Sequence, residues 1–472
     1  MRVKILLQKR LPLLDMFIVL VMGILLYYGA SWQISRWFTD AGKYQCYSVA
    51  FWRGAPALKN LPVPELQCHF ITDSQETVFI TTSTLVERMS AYHFPHWLIS
   101  FVASQSPSQP FHALPHEYPL LTIIPFTLGL FFSSASWYQA AFAVWMALVA
   151  GAIYFLLKSF KSRRAAIAFA LYAVFCGWST MIARYDIIPA GLTLITLLFA
   201  ERGRWRWAFA VLALATMFKF YPLILVPAFF IAQQKSRSTF WQRWWSGLDV
   251  FVLVCTAITT VSLLLSVEGT LGPLSYFGGR PVQAESSASS ILWLASFFGF
   301  PLRYAATYGS LNVLSPVFIF VSPAMSLLLF LGLAYTFWLQ WRGKITLAAS
   351  LLLTLLVVLC TGKVFSPQYL IWVLPFVAYI GECDWRWLAS WSAIGLLTTW
   401  VYPYLYNATQ DFLSIPLLPA FHPVVFARNT LMIAFVVALF YHYTRPPQKS
   451  TVPTAMSLSP SREAIVSVAQ QD

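Results

Sequence analysis

Charge is what this chain most lacks. Asp, Glu, Lys and Arg together make up 10% of its 472 residues, against 58% apolar ones, whereas a soluble domain carries about 25% charged residues. So few charges cannot clothe a globule of this size in a water-facing surface, which excludes a soluble enzyme, a disordered chain and a fibrous protein. Cysteine is sparse too: the six present form no Cys-x-x-Cys pair and no metal-ligand spacing, so redox and zinc chemistry have no foothold. There is no Asp-x-Asp pair and no internal repeat.

What is abundant is long apolar sequence. A helix needs about 20 apolar residues to cross the ~30 Å hydrocarbon layer. Twelve crossings are predicted, at 11–34, 137–157, 165–182, 186–200, 206–217, 221–234, 247–267, 316–338, 345–361, 368–381, 387–404 and 424–443. The chain thus reads as an all-α polytopic membrane protein. The first crossing follows Arg2, Lys4, Lys9 and Arg10 and is read as an uncleaved anchor with the N-terminus inside.

The net charge of +14 then raises the question of sidedness, not of nucleic acid, for which no partner role is expected. Residues 119–133 resemble a crossing, but Pro125 interrupts them and they are short. Placing them in the outer interface puts Lys158, Lys161, Arg163 and Arg164 inside, along with most other Lys and Arg, as the positive-inside rule requires. Residues 291–304 are read in the same way, as an outer interfacial helix. One membrane domain, 1–443, is expected, with a large outer loop at 35–136 and a disordered cytoplasmic tail at 444–472. The cluster Trp241, Trp244 and Trp245 reads as part of an interfacial aromatic belt.

Ionisable residues near membrane depth are costly and mark function. Those that are not inner-loop anchors collect at the outer side: Asp40, Glu117, Arg184, Asp186, Lys219, Arg280, Glu285 and Lys363. Each has a plainer alternative. Asp186 is also placed to cap a helix with Pro189 in its first turn. Lys219 and Lys363 also suit snorkelling anchors, and Glu285-Ser286-Ser287 also suits a helix start. Ser366-Pro367 reads as an N-cap followed by Pro, His116 as a surface residue, and Asp15 and Asp249 as inner helix ends without a role. A one-sided acid–base cluster beneath a large outer loop fits chemistry at an interface. A transporter or lipid flippase, the alternative, more often places such groups at the midplane, and a non-catalytic scaffold gives no reason for the cluster.

At these residues the chain resembles the GT-C superfamily of polyprenyl-phosphate-sugar glycosyltransferases, and within it glycosyltransferase family 87. The matching stretches are Thr39-Asp40 with Tyr44, Glu117-Tyr118-Pro119-Leu120, Arg184-Tyr185-Asp186-Ile187-Ile188-Pro189, Phe218-Lys219-Phe220-Tyr221-Pro222, Arg280-Pro281-Val282-Gln283-Ala284-Glu285-Ser286 and Lys363-Val364-Phe365-Ser366-Pro367-Gln368-Tyr369 onward to Pro375. Leu120 stands where the family often has a second Pro, and a stretch of about 55–110 does not align. The resemblance implies transfer of a hexose, mannose first, from a polyprenyl-phosphate donor to a glycolipid or glycan acceptor at the outer face of a prokaryotic cell membrane. Donor and acceptor contacts would come from Glu117, Tyr118, Arg184, Asp186, Lys219, Arg280, Gln283, Glu285, Lys363 and Gln368.

The chemistry asks for the same kinds of residue. A departing phosphate needs cations, and an acceptor hydroxyl needs a base, for which Asp40 is the candidate. Base and cations are expected to flank the sugar without touching, with Lys219, Arg280 and Lys363 converging on the phosphate. A divalent cation is left open as a cofactor. Cys46 and Cys68, the two cysteines of the outer loop, are able to pair in an oxidising exterior.

Overall fold

The computed structural model describes residues 2–72, 80–132, 134–236 and 247–445. The tryptophan cluster Trp241, Trp244 and Trp245 and the tail beyond Arg445 lie outside these residues.

All twelve stretches expected to cross are helical. Five are long and apolar enough to span a bilayer by themselves: Pro12–Ile34, Ser136–Phe160, Leu248–Leu265, Phe318–Trp341 and Phe421–Thr444. The rest are shorter. With so little charge and such helices, the chain is an integral membrane protein. The centre of the bundle is formed by Leu347–Thr361 and Leu370–Gly381, which are apolar all round and almost wholly buried. By contrast, Leu248–Leu265 and Phe318–Trp341 turn most of their apolar surface outward, as lipid-facing helices do. Close approach is bought with glycine where backbones cross: a Cβ on Gly395 would sit 2.6 Å from the carbonyl oxygen of Phe175.

Helix alternation brings the loops that carry the candidate residues to one end of the bundle. Asp40 follows Arg2–Ile34, Asp186 precedes Ile187–Glu201, Lys219 follows Trp205–Phe218, and Lys363 follows Leu347–Thr361. The short loop 202–204 and the loop 342–346 lie at the opposite end. There, Asp15 is fully buried and holds Lys158 at 2.6 Å, Arg163 at 3.0 Å and the Tyr154 hydroxyl at 2.8 Å. Asp15 was assigned no role in sequence, yet it ties the first long helix to the Ala135–Phe160 helix and the basic loop after it.

The all-α expectation needs one correction. A three-stranded antiparallel sheet, in the order β1-β3-β2, is built from β1 (Val282–Gln283), β2 (Arg303–Thr307) and β3 (Ser310–Leu314). The helix expected at 291–304 is Ser287–Ser296, followed by a turn, and β2 begins where that helix was expected to end. The turn between β2 and β3 is the two residues Tyr308-Gly309, both at positive φ (56° and 60°), the geometry that suits a tight hairpin. Glycine at the second position makes it affordable, and the hairpin was legible there but was not read.

Of the stretch expected at 119–133, residues 119–132 form no single helix. Leu120–Thr122 and Leu128–Phe131 are 3₁₀ turns on either side of a five-residue α-helix, Ile123–Thr127. The loop before them is well built. It contains the helix Asp40–Arg53, capped by Thr39, and a helical pair, Thr82–Ala91 and His96–Ser104. Cys46 and Cys68 form a disulfide with a Cα separation of 5.6 Å. A closed loop of this size contributes about 3 kcal/mol by limiting the unfolded chain.

Candidate active site

Every candidate acid has a cation of its own. Asp40, in the first turn of its helix, pairs with Arg184, which also donates to the Tyr402 hydroxyl at 3.5 Å. Asp186 accepts from Lys219 at 2.5 Å and from the Trp372 indole at 2.6 Å. Glu117 pairs with Lys43 at 3.5 Å, and Glu285 with Arg428 at 3.2 Å. These contacts decide several of the alternatives. Asp186 stands at the N-cap position but makes no side-chain cap bond. Lys219 turns inward to a carboxylate and lies 5.1–5.7 Å over the rings of Tyr185, Trp372 and Tyr369, so it is no snorkelling anchor. Ser286 caps the helix beginning at Ser287 by accepting from Ser289 N–H, leaving Glu285 free to point into the protein.

Two expectations are corrected. Base and cations were expected not to touch, but Asp40 is in direct contact with Arg184; a carboxylate and a guanidinium this close in a partly buried site attract strongly. His116 is not a surface residue: it is buried against the Tyr47 hydroxyl and beside Glu117. Burial pushes its imidazole below the usual range, against the opposing pull of Glu117.

Arg280 and Lys363 differ from the other cations. Neither makes an ion pair among the described residues. The Lys363 ammonium donates to the Gly278 carbonyl at 3.2 Å, and Arg280 lies 5.2 Å over the Tyr276 ring. The two are neighbours: burial and, after it, the Arg280 charge hold the Lys363 ammonium below its ordinary range. β1 fixes this arrangement, since Gln283 N–H donates to the Lys363 carbonyl at 3.0 Å and Ala284 N–H to the Leu311 carbonyl at 2.8 Å. Gln283 Oε1 is buried without a hydrogen-bond partner. Gln368 accepts from the Ser366 hydroxyl at 2.5 Å, so Ser366 bonds a side chain instead of capping.

Between the pairs stands an aromatic wall. Tyr118 meets Tyr44 and Tyr185 edge-on, at 6.0 and 5.3 Å between centroids. Trp372 is sandwiched between Tyr221 (4.2 Å) and Tyr369 (4.0 Å). Burial tends to raise the Glu117 carboxyl, but Lys43, His116 and Arg280 outweigh it and hold Glu117 below the usual carboxylate range. Glu285 goes the other way: its burial prevails over Arg428 and Tyr406, and its carboxyl is raised.

Among the described residues no three His, Cys, Asp or Glu side chains gather as a metal site would require. The four acids are already engaged by cations, so the arrangement does not fit a divalent ion. A wholly apolar groove lies between the broken segment after Pro119, the long helix Ala135–Phe160 and the shorter Ile187–Glu201, lined by Ile124, Pro125, Leu128, Ile153, Ile188 and Phe218, among others. Ile188 and Phe218 lie close in sequence to Asp186 and Lys219.

Sequence reasoning missed Lys43 and Arg428. Arg428 was visible as a lone charge inside the last apolar stretch, the signal that flags a functional or paired group. Lys43 carried no such signal, because a lysine three residues beyond Asp40 looks like a solvated loop charge.

No family model matches this chain, and no curated protein matches it. Two solved structures show a likeness to this chain, both of ArnT from Cupriavidus metallidurans. One is bound to undecaprenyl phosphate (TM-score 0.42, 13% identity, over 91% of this chain and 77% of that one). The other is in the apo state (TM-score 0.41, 13% identity, over 93% and 78%). At these values the likeness bears on neither the activity nor the site residues of this chain.

Proposed function

We propose that the chain is a GT-C-type glycosyltransferase that moves a hexose, mannose first, from a polyprenyl-phosphate sugar to a glycolipid or glycan acceptor at the outer face of the membrane. The observation that carries this is the neighbouring pair Arg280 and Lys363, two partly buried cations that make no ion pair among the described residues. Like charges held together in this way call for an anion. The apolar groove that reaches Ile188 and Phe218, next in sequence to the Asp186–Lys219 pair, supports a lipid-borne one.

In the proposed reaction Asp40 takes the acceptor hydroxyl proton as the acceptor oxygen bonds to the anomeric carbon. The bond from that carbon to the phosphate oxygen breaks, and its electron pair leaves on the phosphate, which Arg280 and Lys363 stabilise. Arg184 orients Asp40, while Glu117, Asp186 and Glu285 shape the sugar pocket together with Tyr118, Gln283 and Gln368. Lys219 supports the phosphate side through its aromatic surround. The test is incubation of the purified protein in lipid vesicles with polyprenyl-phosphate mannose and glycolipid acceptors, following release of free polyprenyl phosphate. Absence of release from polyprenyl-phosphate mannose and from the other polyprenyl-phosphate hexoses alike overturns the proposal.

Two expectations arise here. Lys43→Met removes the foremost cation beside Glu117. An ionised Glu117 is the working form, so activity is lost as pH falls through its depressed pKa; without Lys43 that pKa rises, and the acid limb of the pH–rate profile moves to higher pH. An unmoved limb shows that ionisation of Glu117 does not set it. For sidedness, the sites differ: in a background without the free cysteines, Ser134→Cys reacts with an impermeant thiol reagent from outside and Phe160→Cys only after permeabilisation. Equal labelling of the two overturns the orientation and with it the outward-facing site.

A further inference from the structure

The helical pair Thr82–Ala91 and His96–Ser104 has no part in the site, and neither helix sinks into the protein: of their residues only Val102 is buried. Both ends of the pair are fastened to one spot. Thr82 donates through its backbone N–H and its hydroxyl to Glu268 Oε2, at 2.7 and 2.5 Å. Gln105, just past the second helix, donates to the carbonyls of Leu263 and Leu264 at 2.9 and 3.0 Å and accepts from Val267 N–H at 2.9 Å. That spot is the end of Leu248–Leu265, a helix long and apolar enough to span the bilayer, whose Val261 and Leu264 face outward.

The pair is therefore slung from the rim of a lipid-facing helix, and its free end is aromatic. Tyr92 is 77% exposed and Trp97 71%, with Phe94 between them. The second helix, His-Trp-Leu-Ile-Ser-Phe-Val-Ala-Ser, carries no acidic residue, Lys or Arg. Trp and Tyr rings with an apolar body and a polar edge concentrate at the boundary between headgroups and acyl chains, and leaving such area in water forgoes about 25 cal/mol per Å². We propose that the Tyr92–Trp97 tip is an anchor seated in the lipid interface beside Leu248–Leu265, its occupant being phospholipid.

The anchor reaches the site through one helix. Glu268, which holds Thr82, is in the first turn of Val267–Gly279. Gly269 and Gly272 of that helix lie so close to the segment leading to Glu117 that a Cβ would stand 2.4 Å from Leu114 Cβ and 3.1 Å from His116 Cα. Seating the tip at the interface thus sets the height of the Glu117 segment relative to the membrane. This requires only that the protein be membrane-embedded and is independent of the reaction it performs.

The test uses the full chain in phosphatidylethanolamine–phosphatidylglycerol vesicles containing a phospholipid with a diazirine near the glycerol end of one acyl chain. After irradiation and digestion, mass spectrometry is expected to find lipid adducts on the 92–97 peptide as well as on the 248–265 peptide. Trp97→Glu should lower the 92–97 adducts severalfold while leaving those on 248–265 unchanged, which also reports that the variant is folded. Adducts on 248–265 with none on 92–97 would overturn the proposal.

Discussion

Asp40→Asn should turn over about 10²–10⁴-fold more slowly than the natural protein, the usual contribution of a general base, with donor binding nearly intact. The substitution keeps the shape of the side chain and removes its ability to accept a proton. The structure sharpens the expectation through Arg184, which contacts Asp40. A guanidinium beside a carboxylate fixes its direction, so Arg184→Gln should also slow turnover, by a smaller factor. Nor does Asp40 serve as the helix cap, since Thr39 takes that place by accepting from Gly42 N–H at 3.4 Å. If a well-folded Asp40→Asn protein keeps turnover within a few-fold of normal, Asp40 has no such role and Glu117 becomes the carboxylate to change next.

The largest effect on stability is expected at Arg428. It is fully buried, with Nη1 on Glu285 Oε2 at 3.2 Å, Nη2 on the Glu285 carbonyl, and its guanidinium 4.1 Å over the Phe365 ring. Removing one partner of a buried pair leaves an uncompensated charge, at a cost of about 3–5 kcal/mol. Arg428→Met should therefore lower the thermal midpoint in lipid or detergent steeply. The loss has a pH sign. Burial already raises the Glu285 carboxyl, and without Arg428 it rises further. Its protonated form is the one tolerated in the core, so the variant is least affected at low pH and loses stability as pH rises through the raised pKa. Adding Glu285→Gln should restore much of the loss. A single variant as stable as the natural protein at neutral pH would show that the pair holds nothing together.

How much of this was legible in sequence differs by element. The apolar helices were, because a bilayer demands runs of apolar residues and the runs are there; which of the shorter ones cross was not. The one-sided gathering of Asp40, Glu117, Arg184, Asp186, Lys219, Arg280, Glu285 and Lys363 followed from counting helices. Pairing was not legible. Whether Lys219 snorkels or turns to Asp186 depends on where Trp205–Phe218 and Ile187–Glu201 place their ends, which no spacing along the chain encodes. Arg428 is 143 residues from Glu285, and nothing local joins them. The small sheet escaped because β2 is short and follows an apolar helix, so periodicity there was dominated by the helix; only Tyr308-Gly309 betrayed it.

The pairing of acids with cations has a consequence for the reaction cycle. Asp40, Glu117, Asp186 and Glu285 are each cancelled by Arg184, Lys43, Lys219 and Arg428, and Arg280 and Lys363 remain, so six cations less four acids leave the resting site at +2. A sugar-phosphate diester donor brings one negative charge, whereas the polyprenyl phosphate left behind carries nearly two once its second proton, with a pKa of about 6, is gone. On the proposed chemistry the pocket is electrically matched to what departs, not to what arrives. Such a balance favours bond cleavage and at the same time retains the spent lipid. Turnover would then be paced by unloading, become slower as pH rises above about 6, and be slowed by added polyprenyl phosphate more than by an equal excess of acceptor.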